Sequence, residues 1–291
     1  MSPLIQELIA NRPVLTDGAW GSELLSQGLE AGECSDAWNL EHPGRVEYLA
    51  RAYVEAGSDI ILTNTFRSNR IALAAYGLAG KVREINHAGV EISRRAAGGR
   101  ARVFGSLGPS GKLLVAGEVS KDELQGAFLE QAEELAKAGA EGLVFETMSD
   151  LEEAKLAVAA ARSTGLPVVA CMAFDSGKAK DRTMMGTTPE QAAAGLSAAG
   201  ADVIGANCGQ GIEHYLMLCR RLAAATDRPL WMKPNAGLPE LAGDRVRYCM
   251  TPEKFAAAAS ALVQEGAAFI GGCCGTSPEF IRVLRLAMTR E

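Results

Sequence analysis

The 291-residue sequence predicts one α/β domain over residues 1–291, a (β/α)8 barrel of the TIM type. Three observations predict it. Eight short apolar runs alternate with helical stretches, four of those runs follow the same Gly-capped helix ending, and polar or reactive residues stand at the ends of the runs. Alternation of this kind builds parallel strands joined by crossover helices. The length is somewhat above the roughly 250 residues usual for one such barrel, and no Pro- or Ser-rich linker divides the chain. An open doubly wound sheet is the alternative arrangement of the same units.

The runs come in order. PVLTDG (13–18) precedes a helical stretch over 43–56, and AGSDIILTN (56–64) precedes another within 68–97. RVFGSLG (102–108) leads through a Gly-containing loop, 108–118, to a helix over 121–138. AGAEGLVFE (138–146) precedes 149–164, and PVVACMAF (167–174) leads through the loop 175–186 to 188–199. AGADVIGANC (199–208), PLWMKPN (229–235) and EGAAFIGGCC (265–274) precede helices over 212–225, 251–265 and 278–289. Gly57, Gly139, Gly200 and Gly266 each follow an Ala-rich helix, where a left-handed cap favours glycine. Ser149, Thr188-Pro189, Thr251-Pro252 and Ser277-Pro278 read as helix starts. The apolar runs suit strands buried on both faces.

Composition excludes several classes. Hydrophobic residues at 48% supply a large core, while a net charge of -6 without any Lys/Arg run argues against nucleic acid as partner. No apolar run approaches the roughly 20 residues that cross a bilayer. The opening MSPLIQELIANRPVL lacks the basic and apolar regions of a signal peptide, so a cytoplasmic location is expected. Seven cysteines, an odd number, in a reducing compartment are not a disulfide framework. The three histidines, His42, His87 and His214, fall in helical patterns, so the chemistry should run without a histidine base.

In a barrel the C-terminal strand ends converge on one mouth, where catalytic groups sit. Those ends read Asp17-Gly18, Thr63-Asn64, Gly108-Pro109, Glu146-Thr147, Phe174-Asp175, Asn207-Cys208, Lys233-Pro234-Asn235 and Cys273-Cys274. Three thiols, Cys208, Cys273 and Cys274, thus come from two strand ends with one strand between them. Three cysteines and one open position suit Zn²⁺. Three thiolates leave such a site with a net charge of -1, a poor generator of hydroxide but a good holder of a substrate thiolate. A free thiol has a pKa of about 8.5, and coordination shifts it towards the nucleophilic anion. The bland alternative is a tight Gly-rich turn with two small buried residues. Cys34, Cys171, Cys219 and Cys249 are read as packing or connecting residues.

The chain resembles the homocysteine S-methyltransferases through DGAWGSEL (17–24), LTNTF (62–66), GSLGPSG (105–111), FETMSDLEEA (145–154), GANCG (205–209), KPNAGLP (233–239) and GGCCGTSPEFI (271–281). The last motif together with the upstream Asn-Cys is highly specific. The resemblance implies a (β/α)8 homocysteine-binding barrel with zinc on Cys208, Cys273 and Cys274, and methionine as product. It also implies an amino-acid pocket from Asp17, Gly18, Glu146 and Asn207. Asp17 and Glu146 would receive the substrate ammonium, and backbone N–H groups after Asp17 its carboxylate.

For the methyl donor, the stretches 31–43 and 174–186 are similar to bacterial betaine-type members, which implies a small onium donor such as glycine betaine with Trp38 as its aromatic wall. Arg67 departs from that pattern, standing where animal betaine-using enzymes carry a tyrosine. S-methylmethionine, or a corrinoid protein acting in trans, is the alternative donor; no cobalamin or folate module is expected within the chain. Two readings of other classes are a barrel lyase using Lys233 as a Schiff-base amine and a non-catalytic zinc- or corrinoid-binding component.

Overall fold

The computed structural model describes residues 1–10, 13–242 and 245–288. Eight parallel strands form one sheet: β1 (Val14–Leu15), β2 (Ile60–Leu62), β3 (Arg102–Leu107), β4 (Gly142–Met148), β5 (Val168–Met172), β6 (Val203–Gly211), β7 (Leu230–Asn235) and β10 (Ala267–Ile270). Each pairs with its sequence neighbour, β10 pairs with both β7 and β1, and a parallel bridge between Thr16 and Ile60 closes the ring. The predicted closed barrel is therefore the observed one, and the open doubly wound sheet is not formed.

An outer layer of helices covers the strands: α2 (Pro43–Ala56), α3 (Val82–Ala97), α4 (Lys121–Ala138), α5 (Leu151–Ala161), α6 (Pro189–Ala199), α7 (Ile212–Ala225), α8 (Pro252–Gln264) and α9 (Pro278–Met288). Gly57, Gly139 and Gly200 cap α2, α4 and α6 in the left-handed conformation that their sequence positions predict. Thr188 closes a capping box at α6, and Thr251 accepts from the Lys254 N–H at α8. At α5 the cap is Asp150, one residue beyond the predicted Ser149, because its carboxylate reaches the Glu152 N–H. The predicted helical stretch 68–97 is split into Arg70–Ala74 and α3, separated by the turn at Gly77 and a short 3-10 segment.

Among the elements without a counterpart in the predicted order, two close off or extend the barrel. Helix α1 (Pro3–Ile9) joins the apolar cluster of Val14, Ile60, Val203 and Ala268 through Ile5. Those residues lie within the first two positions of their strands, so α1 plugs the N-terminal end of the barrel. The second element is an antiparallel hairpin, β8 (Pro239–Ala242) with β9 (Arg245–Tyr248), between β7 and α8.

Side-chain alternation along a strand decides what the barrel contains. On β7, Trp231 points into the interior cluster, Met232 belongs to the outer core, and Lys233 points inward again one layer higher. On β4 the same sequence is Val144, Phe145, Glu146, and on β3 Phe104 is followed two residues on by Ser106. The lower layer is apolar and stacked: the Trp231 ring lies 6.4 Å from Phe104 and 5.1 Å from Phe269. The upper layer is polar and opens on the mouth.

A three-thiol cluster and a buried charge cluster at the barrel mouth

The ligand atoms of Cys208, Cys273 and Cys274 lie within 4.8 Å of one another, and the Cys208 and Cys274 sulfurs are 3.8 Å apart. Local backbone geometry makes this convergence. At the end of β6, Cys208 has φ +60° and Gly209 φ +73°, and the register shifts between Asn207 and Gly211. A left-handed cysteine is strained, of order 1–3 kcal/mol, and the Tyr215 hydroxyl holds its carbonyl at 2.6 Å. On the other side, the Cys273 N–H donates to the Pro234 carbonyl at 2.8 Å, and the Cys274 carbonyl accepts from the Ala236 N–H at 3.0 Å. The turn runs so close to its own continuation that a Cβ on Gly272 would lie 2.3 Å from the Thr276 hydroxyl. Glycine is thus required beside the thiol pair.

The thiols share their protons unequally. Hydrogen bonds from Cys273 and Cys274 pull the Cys208 thiol down to about 3, and the same coupling, with burial, pushes the Cys273 and Cys274 thiols up. Of the three, Cys208 is the sulfur disposed towards the anion. Asn235, 4% exposed, hydrogen-bonds the Cys208 sulfur, and its Oδ1 has no partner. A buried acceptor without a donor is rare. Beside three sulfurs, it fits an electropositive occupant such as a thiophilic metal ion.

A second cluster lies in the same upper layer. Lys233 Nζ is 2.6 Å from Asp17 Oδ1 and 3.9 Å from Glu146 Oε2. Asp17 Oδ2 accepts from the Trp20 indole at 2.8 Å and from the Leu62 N–H at 2.7 Å. The Ser106 hydroxyl donates to Glu146 Oε1 at 2.5 Å. Burial pushes the Glu146 carboxyl up, against the opposing pull of Lys233 and Ser106. Burial disfavours a charged Lys233, but Asp17 and Glu146 outweigh it, and the ammonium is held above its ordinary range.

The sequence-predicted residues fall into distinct places. Asp17, Glu146 and Asn207 are in the upper layer with the thiols. The Asn207 amide clamps Thr147, accepting its N–H at 2.6 Å and donating to its hydroxyl at 2.8 Å, and stands 3.8 Å from the Cys273 sulfur. Thr147 is itself left-handed, at φ +57°. Gly18 is packed so that a Cβ would lie 2.8 Å from the Tyr53 hydroxyl.

Trp38 is not presented as a wall. It is 3% exposed in the cluster with Leu24, Val46 and Leu49, with His42 against its edge at 4.7 Å and the Arg45 guanidinium 5.1 Å from its centroid. Arg67 is exposed and donates to the Tyr76 hydroxyl. Cys34, Cys171 and Cys219 are buried, in keeping with a packing role, and Cys249 is exposed on the connection after β9. His87 pairs with Glu134 and His214 with the Lys180 carbonyl, away from the thiols.

Sequence reasoning passed over Ser106, Asn235 and Tyr248 as site residues and took Lys233 only as a Schiff-base candidate. The parity along β3 and β7 places Ser106 and Lys233 inside. Nothing comparable signals Tyr248, whose ring lies over Gly275, 2.2 Å from where a Cβ would stand.

Fold and site together define a (β/α)8 barrel with a three-cysteine cluster able to hold a metal ion at its catalytic mouth. The chain belongs to the homocysteine S-methyltransferase family, whose model matches residues 14–288. It is 32% identical over 305 aligned positions to a methionine synthase of Mycobacterium leprae and 31% identical over 303 to one of Mycobacterium tuberculosis. These alignments cover 98% and 97% of this chain, which spans about a quarter (25%) of either relative. The homocysteine methyltransferase MmuM of Escherichia coli, in its metallated form, has the same fold, with a TM-score of 0.81 over 97% of this chain and 99% of that one, at 23% identity. No helix among the described residues is long and apolar enough to cross a membrane.

Proposed function

We propose that this chain transfers a methyl group to the sulfur of homocysteine, giving methionine, with Zn²⁺ held by Cys208, Cys273 and Cys274. The observation that carries the reading is the meeting of three sulfurs within 4.8 Å at the barrel mouth, beside a buried charge cluster suited to an amino acid. Zinc on three thiolates would supply a fourth position at which a substrate thiol is kept as its anion.

The protein's own residues then orient and exclude. Glu146 offers its Oε2 to the α-ammonium. The Gly18 N–H is the donor nearest in sequence for the carboxylate, since the Ala19 N–H is spent on Thr276. Asn207 fixes the β4 end that carries Glu146. The thiol proton leaves to solvent, the substrate sulfur forms a bond to the methyl carbon, and the electron pair of the breaking bond departs with the donor's leaving group. In-line alignment of the two substrates can supply ~7–11 kcal/mol of the barrier. No histidine is needed.

The donor we assign is a small onium compound, glycine betaine or a relative, presented at the mouth without the aid of Trp38. A second reading, transfer from a corrinoid protein in trans, is favoured by the similarity to methionine synthases four times as long as the matched chain. A Schiff-base lyase is disfavoured because Lys233 is a paired ammonium, 2% exposed, and a charged amine is no nucleophile. The test is methionine formation by zinc-loaded protein with homocysteine and, in turn, glycine betaine, S-methylmethionine and methylcobalamin. Turnover with an onium donor is expected. Methionine from methylcobalamin alone selects the second reading, and none from any donor sinks the enzyme in favour of a non-catalytic metal-binding component.

A further inference from the structure

We infer that Lys233 is the positioning residue of the amino-acid pocket: clamped by Asp17, it holds Glu146 as the carboxylate that receives the α-ammonium of the incoming thiol. The inference rests on the homocysteine reading and divides labour between two acids that the sequence treats alike. Asp17 is saturated. Its Oδ1 accepts from Lys233 at 2.6 Å, and its Oδ2 accepts from Trp20 and Leu62 at 2.8 and 2.7 Å. With 0% exposure and a donor on each oxygen, it has neither a free oxygen nor a path to a ligand. Glu146 has both. Its Oε1 is held by Ser106, but Oε2 has only the 3.9 Å approach of Lys233, beyond hydrogen-bond reach, and its side chain is 12% exposed.

Charge bookkeeping points the same way. One buried cation and two buried carboxylates leave the cluster one positive charge short of neutrality, and a ligand ammonium at Glu146 completes it. Without Lys233, the groups facing Glu146 would be Asp17 from the segment after β1, Cys208 from β6 and Cys171 from β5, none of them a cation. Ser106 from β3 would remain as a neutral donor. Burial would then favour the protonated acid, which attracts an ammonium poorly.

The experiment is calorimetric titration of the zinc-loaded chain with homocysteine and with 4-mercaptobutanoate, its analogue without the amino group. The wild type is expected to prefer homocysteine by about 10- to 100-fold, as a charge-assisted contact implies. Lys233→Met should lose most of that preference at neutral pH while its affinity for the analogue changes less than about threefold, and the preference should return as pH rises and Glu146 ionises. Glu146→Gln should lose it without alkaline recovery. Should Lys233→Met fail to fold, Asp17→Asn/Lys233→Met removes both charges of the clamp and carries the same expectation of lost preference. Full retention of the preference in these lysine variants, or equal weakening for both ligands at every pH, overturns the inference. A wild type that binds neither thiol overturns the homocysteine reading itself, and the two failures are told apart by whether the unmodified protein discriminates.

Discussion

The lower and upper layers of the barrel interior are built from the same strands, two residues apart, and they do opposite work. The lower layer sets Phe104, Val144, Val169, Trp231 and Phe269 in contact, closed below by Ile5 of α1. The upper layer sets Ser106, Glu146, Asn207 and Lys233 directly above them and gathers the thiols at its rim. Burial is nearly complete in both, but its consequence differs. Below, it removes apolar surface from water and stabilises the fold. Above, it raises the price of every unpaired charge, so each ionised group must find a partner or a ligand. Stability and reactivity are thus separated by one side-chain period.

The sharpest way to break this contrast is to remove one rim sulfur. Cys273→Ala is expected to abolish zinc retention and methyl transfer while leaving the far-UV circular dichroism unchanged; metal content and turnover on the same sample check it. The reverse outcome is expected one layer down. Trp231→Ala should lower stability by about 3–5 kcal/mol, measured by denaturant unfolding, with metal stoichiometry preserved. If that variant folds but loses zinc, the layers are not independent.

A smaller effect is expected outside the barrel, where Arg221 on α7 pairs with Glu190 on α6 at 2.6 Å and also with Asp181 of the β5 loop. The hydrogen bond from Arg221 draws the Glu190 carboxyl down to about 2. A depressed folded value means that the stabilisation is present above the ordinary value, about 4.5, and is lost as pH falls towards 2. The pair is solvent-screened, so Arg221→Ala should lose no more than ~0–1 kcal/mol at neutral pH, and thermal melts of the two proteins should converge near the acid end.

Most of the fold was legible because its signals are local and repeated. Gly57, Gly139 and Gly200 mark helix ends, and Thr188 and Thr251 mark starts, so α2, α4 and α6 lie within a residue of their predicted spans. The stretch 68–97 misled because its helical pattern continues through Gly77, where the chain turns. The plug α1 and the β8–β9 hairpin were missed because each is defined by what it covers, which a one-dimensional pattern does not record.

The thiol trio was legible from strand-end positions. The unequal roles of Asp17 and Glu146 were not, since they depend on how many donors surround each carboxylate. Trp38, which the resemblance marks as a donor wall, lies buried in the cluster with Val46 and Leu49, a placement the sequence does not signal.

The closure of the ring has a further consequence. Strand β1 is two residues long, and the seam to β2 is a single bridge, reinforced by side chains that stand in for backbone carbonyls: Asp59 takes the Leu15 N–H at 2.8 Å, and Asp17 takes that of Leu62 at 2.7 Å. The carboxylate that grips Lys233 is therefore also a stitch in the weakest joint of the cylinder. Loosening one end of that stitch loosens the other, so the charge cluster and the closure of the hoop share a single side chain.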